Sequence, residues 1–173
     1  LSPNPKPANL AAAAALLALS ACGFTPLYGQ SGDASVAQKL DTVSVANIPE
    51  RTGQMLRLAL QTDLYTAGPP TTEAYSLTVT YSVGQSAIGI EQDSASTRTR
   101  FNANAIFTLT PIGDPSHPIL GGQVTTEDAL NVVDQQYFAS TLETDTVNQQ
   151  VSNQLAAAIT SRLAAYFKTH PNA

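Results

Sequence analysis

Residues 73–83 read EAYSLTVTYSV. Tyr75, Leu77, Val79, Tyr81 and Val83 alternate with Ser76, Thr78, Thr80 and Ser82. A strand here puts apolar side chains on one face and hydroxyls on the other. That pattern belongs to an antiparallel sheet with one covered and one open face. Residues 101–109 repeat it: Phe101, Ala103, Ala105, Phe107 and Leu109 alternate with Asn102, Asn104 and Thr108, and Ile106 is the one apolar residue on the outer side. Before these two strands, Val43 and Val45 alternate with Thr42 and Ser44 in a short strand within Asp41–Ile48, ended by Pro49. Met55, Leu56, Leu60 and Leu64 then predict a helix from about 51 to 66, stopped by Gly68-Pro69-Pro70. Between the patterned strands, residues 84–96 carry Ile88, Gly89 and Ile90 and then a polar turn.

Pro111–Pro118 predicts a turn, and Ile119–Ala129 a fourth strand in which Gly121-Gly122 suggests a bulge or bend. Asn131–Ala139 reads as a loop. Ser140 and Glu143 have the spacing of a capping box, with Asp145 also suited to a helix N-terminus. From there Val147, Val151, Leu155, Ile159 and Leu163 recur every fourth residue, widened by Ala158, Tyr166 and Phe167. Asn148, Ser152 and Arg162 are expected to face away, and the helix to run to about Lys168. The order β-α-β-β-β-α predicts an α+β fold: a two-layer sandwich of a mostly antiparallel four-stranded sheet with two helices on one face.

The 173 residues suffice for one domain, and the formal charge is −5. An acidic chain with 8 Lys and Arg makes a poor nucleic-acid binder, since phosphate binding needs clustered cations. The single Cys excludes an internal disulfide, and its place is informative. Leu10–Ala21 reads LAAAAALLALSA, an apolar run too short to cross a bilayer but right for a signal peptide. It ends Leu19-Ser20-Ala21-Cys22, a pattern resembling the bacterial lipobox. The expected division is a signal peptide over 1–21, a lipidated N-terminal tether over 22–39 without regular structure, and one domain over 40–170. The Cys22 thiol would take a diacylglyceryl group and the new amine a further acyl chain such as palmitate. One acyl chain anchors marginally, whereas two or three anchor stably. Gly23, in place of Asp, favours the outer membrane, on its periplasmic side.

No catalytic constellation stands out, and the expectation is a protein that is not an enzyme and needs neither cofactor nor metal. His117 lies in a turn and His170 in the tail, no Cys or His pair has zinc spacing, and no Gly-rich phosphate loop follows a strand. Arg98 and Arg100 are two apart, so on a strand they share a face, the open one. They could hold an anion by charge-assisted hydrogen bonds, or form a solvated edge paired with Glu91 or Asp93. The face of Ser76, Thr78, Thr80, Ser82, Asn102, Asn104 and Thr108 carries almost no charge. It suits contact with another surface, such as the interior of a polar barrel, or is an ordinary threonine-rich strand surface.

Cys22-Gly23-Phe24-Thr25-Pro26-Leu27-Tyr28-Gly29 resembles the mature start of the LPS-assembly lipoprotein family LptE, in its alphaproteobacterial form. Further likeness lies in Ile48-Pro49-Glu50-Arg51, Gly53-Gln54-Met55-Leu56-Arg57, Ser96-Thr97-Arg98, Asn131-Val132-Val133-Asp134, Tyr137-Phe138-Ala139-Ser140 and the ending Arg162-Leu163-Ala164-Ala165-Tyr166-Phe167. The resemblance implies a lipid-anchored plug inside the LPS translocon barrel LptD that assists LPS insertion into the outer leaflet. It also implies LPS binding through basic residues on lipid A phosphates, with Arg98 the best match and Arg100 beside it. The alternative is an auxiliary periplasmic lipoprotein of a lipid ABC transporter.

Overall fold

The structure is a computed structural model and describes residues 33–65, 68–90, 96–131 and 137–171. In chain order the elements are helix α1 (Asp33–Leu40), strand β1 (Val43–Val45), helix α2 (Arg51–Leu64), strands β2 (Tyr75–Ile90), β3 (Ser96–Pro111) and β4 (Leu120–Asn131), and helix α3 (Tyr137–Thr169). The four strands form one sheet in the order β1-β2-β3-β4. β1 runs parallel to β2, with Val43 opposite Tyr75, while β2–β3 and β3–β4 are antiparallel. The parallel pair follows from α2: a helical crossover returns the chain to the end of the sheet where β1 began. The expected β-α-β-β-β-α order holds, in a sheet that is mixed rather than wholly antiparallel.

The apolar side of the alternation is the core. Val43, Val45, Leu77, Val79, Phe101, Ala103, Ala105, Phe107, Leu109 and Val124 are buried from the sheet side. Leu56, Leu60 and Leu64 of α2, and Val151, Leu155, Ile159, Leu163 and Phe167 of α3, are buried from the helix side. The register places Phe107 between Val79 and Gly122. An added Cβ at Gly122 would lie 3.1 Å from the Phe107 ring. Pairing runs through Gly121 and Gly122 without a shift, so they form no bulge; the irregularities fall between Ala87 and Ile90 of β2.

Three sequence expectations need correction. Residues 33–39 are not structureless: α1 carries Val36 and Leu40, both buried, one helical turn apart. Two apolar residues among polar ones gave too little periodicity to show it. Ser140 is no N-cap, because α3 already begins at Tyr137. Tyr137–Ala139, read as loop, lie in its first turn, so the amides that Ser140 would have served are inside the helix. Asp145 is about two turns in and pairs with Arg51 at 2.8 Å. Finally, Asn148 and Ser152 do not face away; both are buried, Ser152 completely. α3 lies against both the sheet and α2, so it buries a second stripe of Asn148, Ser152, Ala156, Thr160 and Ala164. Small side chains there permit close approach, and the Ser152 hydroxyl lies 3.4 Å from the Tyr81 hydroxyl.

The entry to α2 is tight. Glu50, its N-cap, has φ 67° and ψ 164°, a conformation that glycine adopts and other residues adopt only under constraint. Ile48 folds over Gly53, where an added Cβ would stand 2.7 Å from Ile48 Cγ2. Side chains also occupy backbone groups on both edge strands. Thr42 and Ala46 bond toward β2, so the intervening carbonyls of Val43 and Val45 turn outward. Tyr65 donates to Val43 O at 3.0 Å and Arg57 to Val45 O at 3.3 Å. On β4, Arg162 donates to Gln123 O at 2.7 Å and Asp128 accepts from Ala129 N at 2.8 Å.

Candidate functional site

Helices α2 and α3 pack on one face of the sheet, and among the described residues the other face is open. Cross-strand register orders the open face into rows: Ser44–Ser76–Thr110, Thr78–Thr108–Gly121, Thr80–Ile106–Gln123, Ser82–Asn104–Thr125, Gly84–Asn102–Glu127 and Ser86–Arg100–Ala129. Thr78, Thr80, Ser82, Asn102 and Thr125 are exposed, and Ile106 is 49% exposed in their midst. Gln123 donates to Asn104 at 2.8 Å, tying two amides across strands. The hydroxylic face read from the sequence therefore extends across all four strands.

Among the described residues, charge on this face is confined to one end. Arg98, Arg100 and Glu127 stand where β2 and β3 extend toward the end of their hairpin. Arg100 Nε and Glu127 Oε2 are 3.9 Å apart, both side chains well exposed, and a pair in that setting contributes little to stability. Arg98, Arg100, Glu127, Asp128 and Ala129 line an open groove of about 470 Å³. The structure thus brings Arg98 and Arg100 to one face and one groove, as their spacing required.

Glu127 was missed. Its approach to the arginines depends on register, Asn102 opposite Glu127 and Arg100 opposite Ala129, and sequence spacing alone does not carry register. Glu91 and Asp93, the anticipated ion-pair partners, lie outside the described residues, as does Cys22. His117 is an exposed turn residue whose Nδ1 is 2.7 Å from Asp114 Oδ2. Among the described residues no three His, Cys, Asp or Glu side chains gather as a metal site. No helix among them is long and apolar enough to cross a membrane.

No family model and no curated protein matches the chain. Solved structures do. A candidate lipoprotein from Caulobacter crescentus CB15 superposes with a TM-score of 0.61 at 21% identity, covering 80% of this chain and 98% of that one. A minor lipoprotein from Acinetobacter baumannii gives 0.56 at 16% identity over 72% of this chain and 91% of that one. The rare lipoprotein B from Shewanella oneidensis gives 0.54 at 12% identity over 72% and 92%. At these identities the shared property is the fold. This chain folds as those lipoproteins do.

Proposed function

We propose that this chain is an outer-membrane lipoprotein, acylated on Cys22, that assembles with and plugs an LptD-like β-barrel and assists LPS insertion. The observation that carries the reading is the open sheet face. Hydroxyls and amides cover it across four strands, and among the described residues its charges are Arg98, Arg100 and Glu127, all at one end. A solvated sheet face gains from scattered Lys and Glu, which resist edge and face association. A face of uncharged donors and acceptors fits instead against a polar wall, such as a barrel lumen, where each side chain can exchange water for a partner without burying charge. The lipobox-like Leu19–Cys22, the family resemblance of residues 22–29, and the fold shared with three lipoproteins support the same reading. In this proposal Arg98 and Arg100 meet lipid A phosphates by charge-assisted hydrogen bonds.

The test is co-purification. A C-terminal affinity tag, extraction of outer membranes in mild detergent from the native host, and mass spectrometry would identify what is bound. Recovery of a large barrel protein in stoichiometric amount supports the proposal. Recovery of an inner-membrane transporter in its place overturns it in favour of the ABC-transporter auxiliary. Intact mass of the purified protein reports acylation of Cys22, which Cys22→Ser should abolish.

A further inference from the structure

Strand β2 runs for 16 residues and its neighbour β1 for 3. β1 pairs with Tyr75–Leu77 alone, and the ladder closes with a bond from Ala46 N to Leu77 O at 2.9 Å. Beyond it Pro49 brings no N–H, Glu50 turns the chain at φ 67°, and α2 begins at Arg51. The chain is led off the sheet while β2 continues to Ile90. Backbone groups alternate in direction along a strand. Tyr75 and Leu77 bond toward the β1 side, so the N–H and C=O groups of Val79, Tyr81, Val83 and Gln85 face that side too. Among the described residues nothing pairs with them.

We infer that this bare edge accepts an extended segment of a partner protein as an added strand. Val79–Gln85 pairs with β3 without a register shift, so it is regular enough to template a ladder. The stretch holds no charged residue and no Pro, the devices that ordinarily blunt an open edge. On β1 and β4, by contrast, side chains hold backbone groups. Tyr81 and Val83, on the helix side, are only partly buried. An added strand would cover them with its apolar side chains and extend the hydroxylic face beside Thr80 and Ser82 with its polar ones. Main-chain bonds then supply affinity and the alternation supplies specificity. A second copy fits badly: antiparallel pairing about Ser82 would set Leu77 of one copy against Ala87 of the other, a place that β1 already holds. None of this depends on the barrel or on LPS.

The experiment uses the full chain in mild detergent and a capped peptide of alternating threonine and valine as the probe. The control is the same peptide N-methylated throughout, which keeps the side chains and removes every donor. Amide exchange is read by NMR. In the chain alone, the amides of Val79, Tyr81, Val83 and Gln85 should exchange fast, while those of Thr80 and Ser82, directed at β3, are protected. Saturating peptide should slow the outward amides about tenfold, the scale of one hydrogen bond gained, and the control should not. Gln85→Pro removes an outward donor, leaves the bonds to β3 intact and should weaken peptide binding about tenfold. Unchanged exchange on adding peptide overturns the inference, as does equal slowing by the control or undiminished binding to the Gln85→Pro chain. Protection of the outward amides before peptide is added also overturns it. Where that protection rises with protein concentration a second copy holds the edge, and where it does not the chain's own N-terminal residues do.

Discussion

Lys39 closes the carboxyl end of the last helix: its Nζ donates to the carbonyls of His170 at 3.2 Å and Pro171 at 2.6 Å. The ammonium also stands 5.7 Å from the Phe167 ring centroid. A cation there satisfies carbonyls that a helix terminus leaves unpaired and complements the helix dipole. It joins residues 131 and 132 positions apart in sequence, and with Val36 and Leu40 it makes α1 part of the domain.

Replacing Lys39 with Met keeps the stem and removes the charge. The expected cost is about 1 kcal/mol, with faster amide exchange confined to α1 and the last turn of α3. Hydrogen exchange read by mass spectrometry checks this. Unchanged protection of residues 33–40 would show that the apolar contacts alone hold α1.

Gly53→Ala should destabilise by more than helix propensity would return. Alanine is favoured over glycine by about 1 kcal/mol in an open helix, yet here its Cβ would sit 2.7 Å from Ile48 Cγ2 and 3.1 Å from the Ile48 carbonyl carbon. Ile48 is 1% exposed and has nowhere to go. The expected loss is about 1–3 kcal/mol, measured by urea unfolding. The double variant Gly53→Ala/Ile48→Ala should recover part of the clash relative to the sum of the two single losses.

Alkaline pH should unfold the protein in step with tyrosine ionisation. Burial pushes the phenols of Tyr65, Tyr75 and Tyr81 above their ordinary 10.0, opposed at Tyr81 by the Ser152 hydrogen bond. The folded chain therefore holds these protons longer than the unfolded chain. Stability is fully present below pH 10 and falls as pH rises above it. Urea midpoints measured on both sides of that value, with phenolate absorbance followed in parallel, should show the fall. Tyr81→Phe should make it shallower. A midpoint that does not move would contradict the linkage.

Arg98→Glu reverses one charge in the groove at an exposed position. Under the proposed function it should weaken LPS capture by about tenfold, roughly 1.4 kcal/mol, while the barrel still co-purifies. Loss of both together would place Arg98 in the assembly contact; loss of neither would remove it from the site.

Most of the sheet was legible in the sequence because a period of two survives single-residue reading: Tyr75–Val83 and Phe101–Leu109 state which side chains turn inward. Strand length was harder to read. Ser86, Ala87 and Gly89 continue β2 without the alternation of the segment before them, and their pairing with β3 is what keeps them extended. On α3, the large apolar residues announced the seam toward the core, but Ser152 and Thr160 in the second buried stripe carry no apolar signal. The shared face of Arg98 and Arg100 followed from spacing alone. Glu127 beside them did not, since it lies on the next strand across a turn and only the register fixes where they meet.

Under the proposed function, the backbone groups taken by Tyr65, Arg57, Arg162 and Asp128 have a consequence before the barrel is met. An exported protein would be crowded among unfinished barrel subunits whose strands seek partners. A strand laid along β1 or β4 would first have to displace a side chain from Val43 O, Val45 O, Gln123 O or Ala129 N. That cost disfavours zippering into a mismatched sheet. Recognition is then left to the bare stretch of β2 and a broad side-chain surface, where fit is judged over many residues at once and a wrong partner is released.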